Sequence, residues 1–156
     1  MNAPAPKLDL AAIRAVLATV PDPEVPVLTL DDLGIIRDVA IDGDDIVVTL
    51  TPTYMGCPAT FAIRKMVSDA LVEAGYPRPV LKEQLSPAWT TDWISDDAKA
   101  RLRAYGIAPP AGDSPKDCPL CGSANTQLVS RFGSTACKAL YRCGDCGEPF
   151  EYFKCH

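Results

Sequence analysis

The sequence predicts an α+β fold in two parts, a small sheet covered by helices followed by a short β unit. Three observations carry the prediction. Through residue 106 the apolar pattern switches between helical and strand periods in the order α-β-β-α-β-α. The next stretch, Ile107-Ala-Pro-Pro-Ala-Gly-Asp-Ser-Pro-Lys-Asp117, is rich in Pro, Gly and Ser and has no period. Six of the seven cysteines then fall between Cys118 and Cys155. The expected organisation is a first domain over 1–106, a linker over 107–117 and a second domain over 118–156.

Each element has a local reason. Leu10, Ile13, Val16, Leu17 and Val20 share one helical face, with Asp9 placed to cap it and Pro21 and Pro23 to end it. Residues 33–41 and 46–51 read as strands, joined by the turn sequence Asp42-Gly-Asp-Asp45. Pro52 stops the second strand. Ala59, Ala62, Ile63, Met66, Val67, Ala70, Leu71 and Ala74 form a broad helical stripe, which Gly75 closes. A third strand is expected over 80–85. Ser95 caps a last helix over 96–105, with Gly106 after it. Beyond the linker, residues 127–132, 138–142 and 150–153 have strand composition.

Composition excludes several classes. The 156 residues are 47% hydrophobic and 22% charged, enough apolar material for a core. The odd cysteine count rules out a fully paired disulfide framework in the monomer. No apolar run approaches the roughly 18 residues of a membrane span, so no membrane partner is expected. Met1-Asn-Ala-Pro-Ala-Pro-Lys7 lacks the order of a signal peptide, so a cytoplasmic protein with reduced thiols is expected. Residues 1–111 carry 10 basic and 15 acidic side chains, and residues 112–156 carry 5 of each. That balance argues against nucleic acid as a partner.

Cys118-Pro-Leu-Cys121 and Cys143-Gly-Asp-Cys146 are two matched pairs with 21 residues between them. Two residues between cysteines let one turn aim both sulfurs at an ion. Two such turns supply four thiolates, the closed tetrahedral set of a structural zinc. Gly122, Gly144 and Gly147 beside the sulfurs permit tight turns. The segment therefore reads as a zinc ribbon, too small to fold on its core alone. Four thiolates also suit iron. A redox-active pair would need only one of the two motifs and a βαβ setting. A catalytic zinc would keep one position open. Cys137, Cys155 and His156 stay unassigned.

Cys57 stands alone in the first 117 residues, within Thr51-Pro-Thr-Tyr-Met-Gly-Cys-Pro58. Pro58 suits a first helical position, which puts Cys57 at an N-cap, where the helix dipole favours a thiolate. Asp22-Pro-Glu-Val-Pro26 offers carboxylates on a second proline-fixed loop. The plain alternative is a small buried cysteine and a solvated acidic loop.

These residues resemble a known family. Asp22-Pro-Glu-Val-Pro-Val-Leu-Thr-Leu-Asp-Asp-Leu-Gly-Ile-Ile36, with the Cys57 loop, resembles the iron–sulfur cluster assembly domain of SufT-like proteins. Over residues 8–156 the chain resembles the PaaD-like proteins, which are encoded with the multicomponent phenylacetyl-CoA epoxidase. Pro87-Ala-Trp-Thr-Thr-Asp-Trp-Ile94, the run from Ser130 to Cys143, and Glu148-Pro-Phe150 carry that second likeness.

The resemblance implies an accessory, non-catalytic subunit of the phenylacetyl-CoA 1,2-epoxidase system in aerobic phenylacetate degradation. It implies maturation or delivery of an iron–sulfur cluster to the reductase component. Cys57 would be the cluster-handling thiol, Asp22 and Glu24 the acidic motif near it, and Cys118, Cys121, Cys143 and Cys146 the zinc ligands. The residues agree with a place outside the oxygenase centre: there are no helical Glu-x-x-His pairs and no dinucleotide fingerprint. A cluster normally takes four thiolates, and the first domain offers one. The others would come from a second copy of the chain, from a partner, or from Cys137 and Cys155. A homodimer with facing Cys57 sulfurs is expected. Two further readings stay open. One is an interaction module that docks on oxygenase or reductase subunits, with Cys57 structural. The other is a thiol enzyme, which lacks a base because the only histidine is the last residue.

Overall fold

The computed structural model describes residues 7–53 and 59–154. They form two compact units, divided between Trp89 and Thr90. The loop 54–58 with Cys57, and the terminal Cys155 and His156, lie outside the described residues.

In the first unit, helix α1 spans Leu10–Leu17, and Asp9 caps it by accepting the Ala11 N–H at 3.0 Å. Val20 shares the helical spacing yet lies beyond the helix end, buried in the turn that follows. Strands β1 (Ile36–Asp42) and β2 (Asp45–Leu50) pair antiparallel. Their two-residue turn is Gly43-Asp44, with Gly43 at φ +60°, a backbone that glycine adopts without strain. In β2 the buried residues Ile46, Val48 and Leu50 alternate with more exposed ones, the period of a strand with one face on a core. Helix α2 (Ala59–Glu73) then leads to β3 (Val80–Glu83), which joins β2 in parallel, so the sheet order is β1-β2-β3. A parallel neighbour needs such a helical crossover. Gly75, at φ +92°, ends α2, and the Tyr76 N–H returns to Leu71 O at 2.9 Å. Ile63, Val67 and Leu71 of α2, together with Ile13 and Leu17 of α1, are buried in the core. Trp89 ends the unit at 4% exposure, its indole N–H donating to Leu33 O at 2.7 Å.

In the second unit, a 3-10 turn over Thr91–Trp93 precedes helix α3 (Asp96–Ala104), capped by Ser95 Oγ accepting the Ala98 N–H at 3.1 Å. Strands β4 (Ile107–Ala108), β5 (Thr126–Ser130), β6 (Lys138–Cys143) and β7 (Pro149–Phe153) form one sheet in the order β4-β7-β6-β5. The sequence expects a boundary after Gly106 and a linker from Ile107. Instead, α3 belongs to the second unit, and Ile107 and Ala108 pair in parallel with Glu151 and Tyr152. Both β4 residues are buried, and a strand of two residues is too short to leave a period in the sequence. The Tyr152 hydroxyl ties down the next segment: it donates to Gly112 O at 2.5 Å and accepts the Ala111 N–H at 3.0 Å. Tyr141 stacks on Phe150 with centroids 6.0 Å apart and meets Tyr152 edge-on at 5.7 Å. Among the described residues, no helix is long and apolar enough to cross a membrane.

Candidate functional site

The four cysteines of the two matched pairs converge. Their sulfurs all lie within 4.8 Å of one another, with Cys121 to Cys143 at 3.5 Å and Cys118 to Cys146 at 3.9 Å. The two turns that carry them are built alike. Gly122 N–H donates to Cys118 O at 2.8 Å, and Gly147 N–H donates to Cys143 O at 3.1 Å. Cys118 N–H reaches Ser123 O at 2.8 Å, and Cys143 N–H reaches Glu148 O at 3.0 Å. Gly122 and Gly147 take φ +80° and +78°, so each turn needs glycine after its second sulfur. Backbone N–H groups also point at sulfur: Leu120 at Cys118 and Cys146 at Cys143, both 3.4 Å. The leading cysteine of each turn is fully buried and the second is exposed.

Other residues hold the turns in place. Arg103, in the last turn of α3, pairs with Asp117 and points Nη2 at Cys118 O, 3.4 Å away. Across the cluster, the Asp145 carboxylate accepts hydrogen bonds from Ser123 Oγ and from Asn125 Nδ2, the latter at 3.4 Å. Gly144 N–H donates to Asn125 O at 2.7 Å. A side chain at position 144 would run into the Asn125 amide. Sequence reasoning did not single out Arg103, Ser123, Asn125 or Asp145. The available signal was the position of Asp145 inside the second cysteine pair.

The donor set fits a tetrahedral ion. Zinc–sulfur bonds of about 2.3 Å place sulfurs about 3.8 Å apart, which the contacts at 3.5 and 3.9 Å bracket. Cys121, Cys143 and Cys146 are shifted in acidity. At Cys121 the Ser123 backbone favours the thiolate, but hydrogen bonding with Cys143, desolvation and the other two sulfurs outweigh it and push the thiol up to about 12. At Cys143 the Cys146 N–H, helped by the Asp145 backbone against desolvation, holds the thiol down at about 6. At Cys146 the Glu148 backbone favours the thiolate, yet desolvation and Cys143 raise it. Ser123 and then Asn125 hold Asp145 below the usual carboxylate range. Metal binding at such a site requires thiolates, so it releases protons and depends on pH.

Asp22 is not a solvated side chain. It is 5% exposed, and its Oδ1 accepts the N–H groups of Glu24 and Val25, both at 2.8 Å. Its own N–H donates to Leu28 O at 2.9 Å, so this carboxylate organises the loop 22–28. Glu24 is half-buried beside it. Cys57 lies outside the described residues, so the geometry between it and this loop is not described. Cys137 is buried, with its sulfur 3.0 Å from Thr135 Oγ1.

Comparison with known proteins finds one family within each unit. Residues 107–154 match the PaaD zinc beta ribbon domain, and residues 10–76 match the iron-sulfur cluster assembly protein family. The chain is 53% identical over 150 residues to an Escherichia coli protein named as a putative 1,2-phenylacetyl-CoA epoxidase subunit, covering 92% of this chain and 91% of that one. It is 35% identical over 92 residues to a Porphyromonas gingivalis Fe-S protein maturation auxiliary factor, covering 58% of this chain and 87% of that one. Among solved structures, a Domain of Unknown Function DUF59 from Bacillus anthracis shares 28% identity at a TM-score of 0.53, over 59% of this chain and 89% of that one. A fold of helices and small sheets, a four-cysteine ribbon and near full-length identity meet in one conclusion: the chain belongs to the PaaD family, in which an iron–sulfur assembly domain is joined to a zinc β-ribbon.

Proposed function

We propose that this protein is an accessory subunit of a phenylacetyl-CoA epoxidase system, without catalysis of its own, that matures or delivers an iron–sulfur cluster for the reductase component. The reading is carried by one pairing: an iron–sulfur assembly domain in the same chain as a ribbon whose four sulfurs lie within 4.8 Å of one another. Cys118, Cys121, Cys143 and Cys146 would together fill every position of a zinc ion. Such an ion contributes folding energy and leaves no open site for a substrate.

The cluster is cargo in this reading, and Cys57 is the thiol assigned to it. Asp22 and Glu24 are assigned as the acidic motif of that site. Cluster assembly calls for four thiolates. Cys137 is a poor donor, because it is buried and bonded to Thr135. The reading therefore draws a second Cys57 from another copy and the remaining thiols from the recipient, in a cytoplasm that keeps them reduced.

The test co-expresses the reductase with the wild-type chain or with Cys57→Ser, and measures zinc and iron per chain. The expected result is about one zinc per chain in both proteins, and a cluster-poor reductase only beside Cys57→Ser. A cluster-replete reductase beside that variant refutes cluster handling. Iron in place of zinc at the four sulfurs refutes the ribbon assignment.

A second reading, a docking module, is favoured by Leu128, Val129 and Phe132, which are 51%, 58% and 65% exposed on β5 and the loop after it. Under that reading Cys57→Ser is silent, and Phe132→Ser weakens co-purification of the epoxidase subunits.

A further inference from the structure

We propose that Asp145, with Ser123 and Asn125, forms a gate on the open side of the four-cysteine site that speeds capture of zinc and slows its release. The inference rests on the reading of that site as a zinc site.

Among the described residues, the cluster opens on the side of its second sulfurs. Cys118 and Cys143 are fully buried, whereas Cys121 and Cys146 are exposed. The opening is lined by Cys121, Gly122, Ser123, Asp145 and Cys146. An ion therefore enters between the second sulfurs of the two turns, and it leaves when one of them swings away.

The same opening is crossed by hydrogen bonds. Ser123 follows Cys121 by two residues, and Asp145 immediately precedes Cys146. The Ser123 hydroxyl donates to the Asp145 carboxylate, and Asn125 Nδ2 donates to its other oxygen at 3.4 Å. Asn125 N–H in turn donates to Ser123 Oγ at 3.0 Å, so the three side chains form one linked set. Moving Cys121 away from Cys146 must break the bond between Ser123 and Asp145. Hydrogen bonds that fix metal ligands typically alter affinity about 10- to 100-fold.

The charge has its own effect. Among the described residues that line the opening, Asp145 is the one carboxylate, and there it attracts an approaching dication. That attraction is screened by salt. A clamp that merely shaped the turn would change neither the capture rate nor its salt dependence.

The test uses the full-length chain, stripped of metal under reducing conditions. Stopped-flow mixing with zinc measures association at low and high ionic strength, and transfer to a chromophoric chelator measures release. For Ser123→Ala, release should rise about ten-fold with association unchanged. For Asp145→Asn, association should slow several-fold and lose part of its salt dependence, and release should rise about ten-fold. Circular dichroism of the zinc-loaded variants should match the wild type. Wild-type release from both variants overturns the clamp, and unchanged salt dependence in Asp145→Asn overturns the capture role. If the wild type takes up no zinc, the zinc reading itself fails, and the gate with it.

Discussion

Replacing Trp89 with phenylalanine tests how the first unit is closed. The indole N–H donates to Leu33 O at 2.7 Å from a side chain that is 4% exposed. Trp89→Phe removes the donor and strands a carbonyl on a buried residue, at a cost of about 1–3 kcal/mol. The smaller ring leaves roughly 40 Å³ unfilled, worth about 1 kcal/mol at about 24 cal/mol per Å³. The sum is about 2–4 kcal/mol. Guanidinium unfolding of the full chain, with zinc in excess and far-UV circular dichroism as the probe, would read this as a midpoint lower by about 1 M. A loss below about 0.5 kcal/mol, the range of an ordinary surface change, would mean that Trp89 is not seated against Leu33 in solution.

Three other outcomes follow from the same geometry. Stripping metal with a chelator should lower the melting temperature read by the near-UV dichroism of Tyr141 and Tyr152, because Cys118 and Cys143 are part of their core; re-added zinc should restore it, and an unchanged midpoint would contradict a metal-stabilised fold. At Glu151 desolvation raises the carboxyl, but Ser134 and Lys138 outweigh it and hold the group below its usual range. A depressed folded value gives stability that is present above the unfolded value near ~4.3 and is lost as pH falls through the folded value. Wild type should therefore lose more stability than Glu151→Gln between pH 5 and pH 3. At neutral pH the variant should be weaker by about 2 kcal/mol, because Lys138, 4% exposed, loses its partner at 3.5 Å. Equal acid sensitivity by thermal melts would discount the pairing. Asp22→Ala should cost about 1–2 kcal/mol by releasing the Glu24 and Val25 N–H groups, and Asp22→Asn should recover most of it. An Asn variant as weak as the Ala variant would show that the negative charge, and not the acceptor, matters.

What was legible in the sequence is what short range decides. The caps at Asp9 and Ser95, the turn at Gly43 and the helix stop at Gly75 are set by residues within a few positions of one another. The two cysteine turns are local in the same way, and their meeting follows from both being half of one donor set. Long-range choices were hidden. Arg103 reaches Asp117 across 14 residues, and Asp145 reaches Ser123 across 22. Neither pairing leaves a periodic trace. Val20 continues the helical spacing of α1 yet is buried beyond it, because a buried turn can use the same face as the helix before it. Asp22 shows a different limit. A carboxylate followed by residues whose N–H groups it can accept is a loop-building signal, yet on paper it is indistinguishable from an acidic site motif.

Strand β4 is two residues long, but it lies upstream of the first sulfur and pairs with the last strand of the chain. The ribbon is thus sewn shut by residues that precede all its ligands. This changes what counts as a portable piece. A fragment starting at Cys118 would leave the Glu151–Tyr152 edge of β7 unpaired and deprive the Tyr152 hydroxyl of Ala111 and Gly112. One starting at Ile107 would keep that strand and lose the Arg103 tether. Domain swaps among relatives that aim to move a working ribbon should therefore cut at Thr90, ahead of the Ser95 cap.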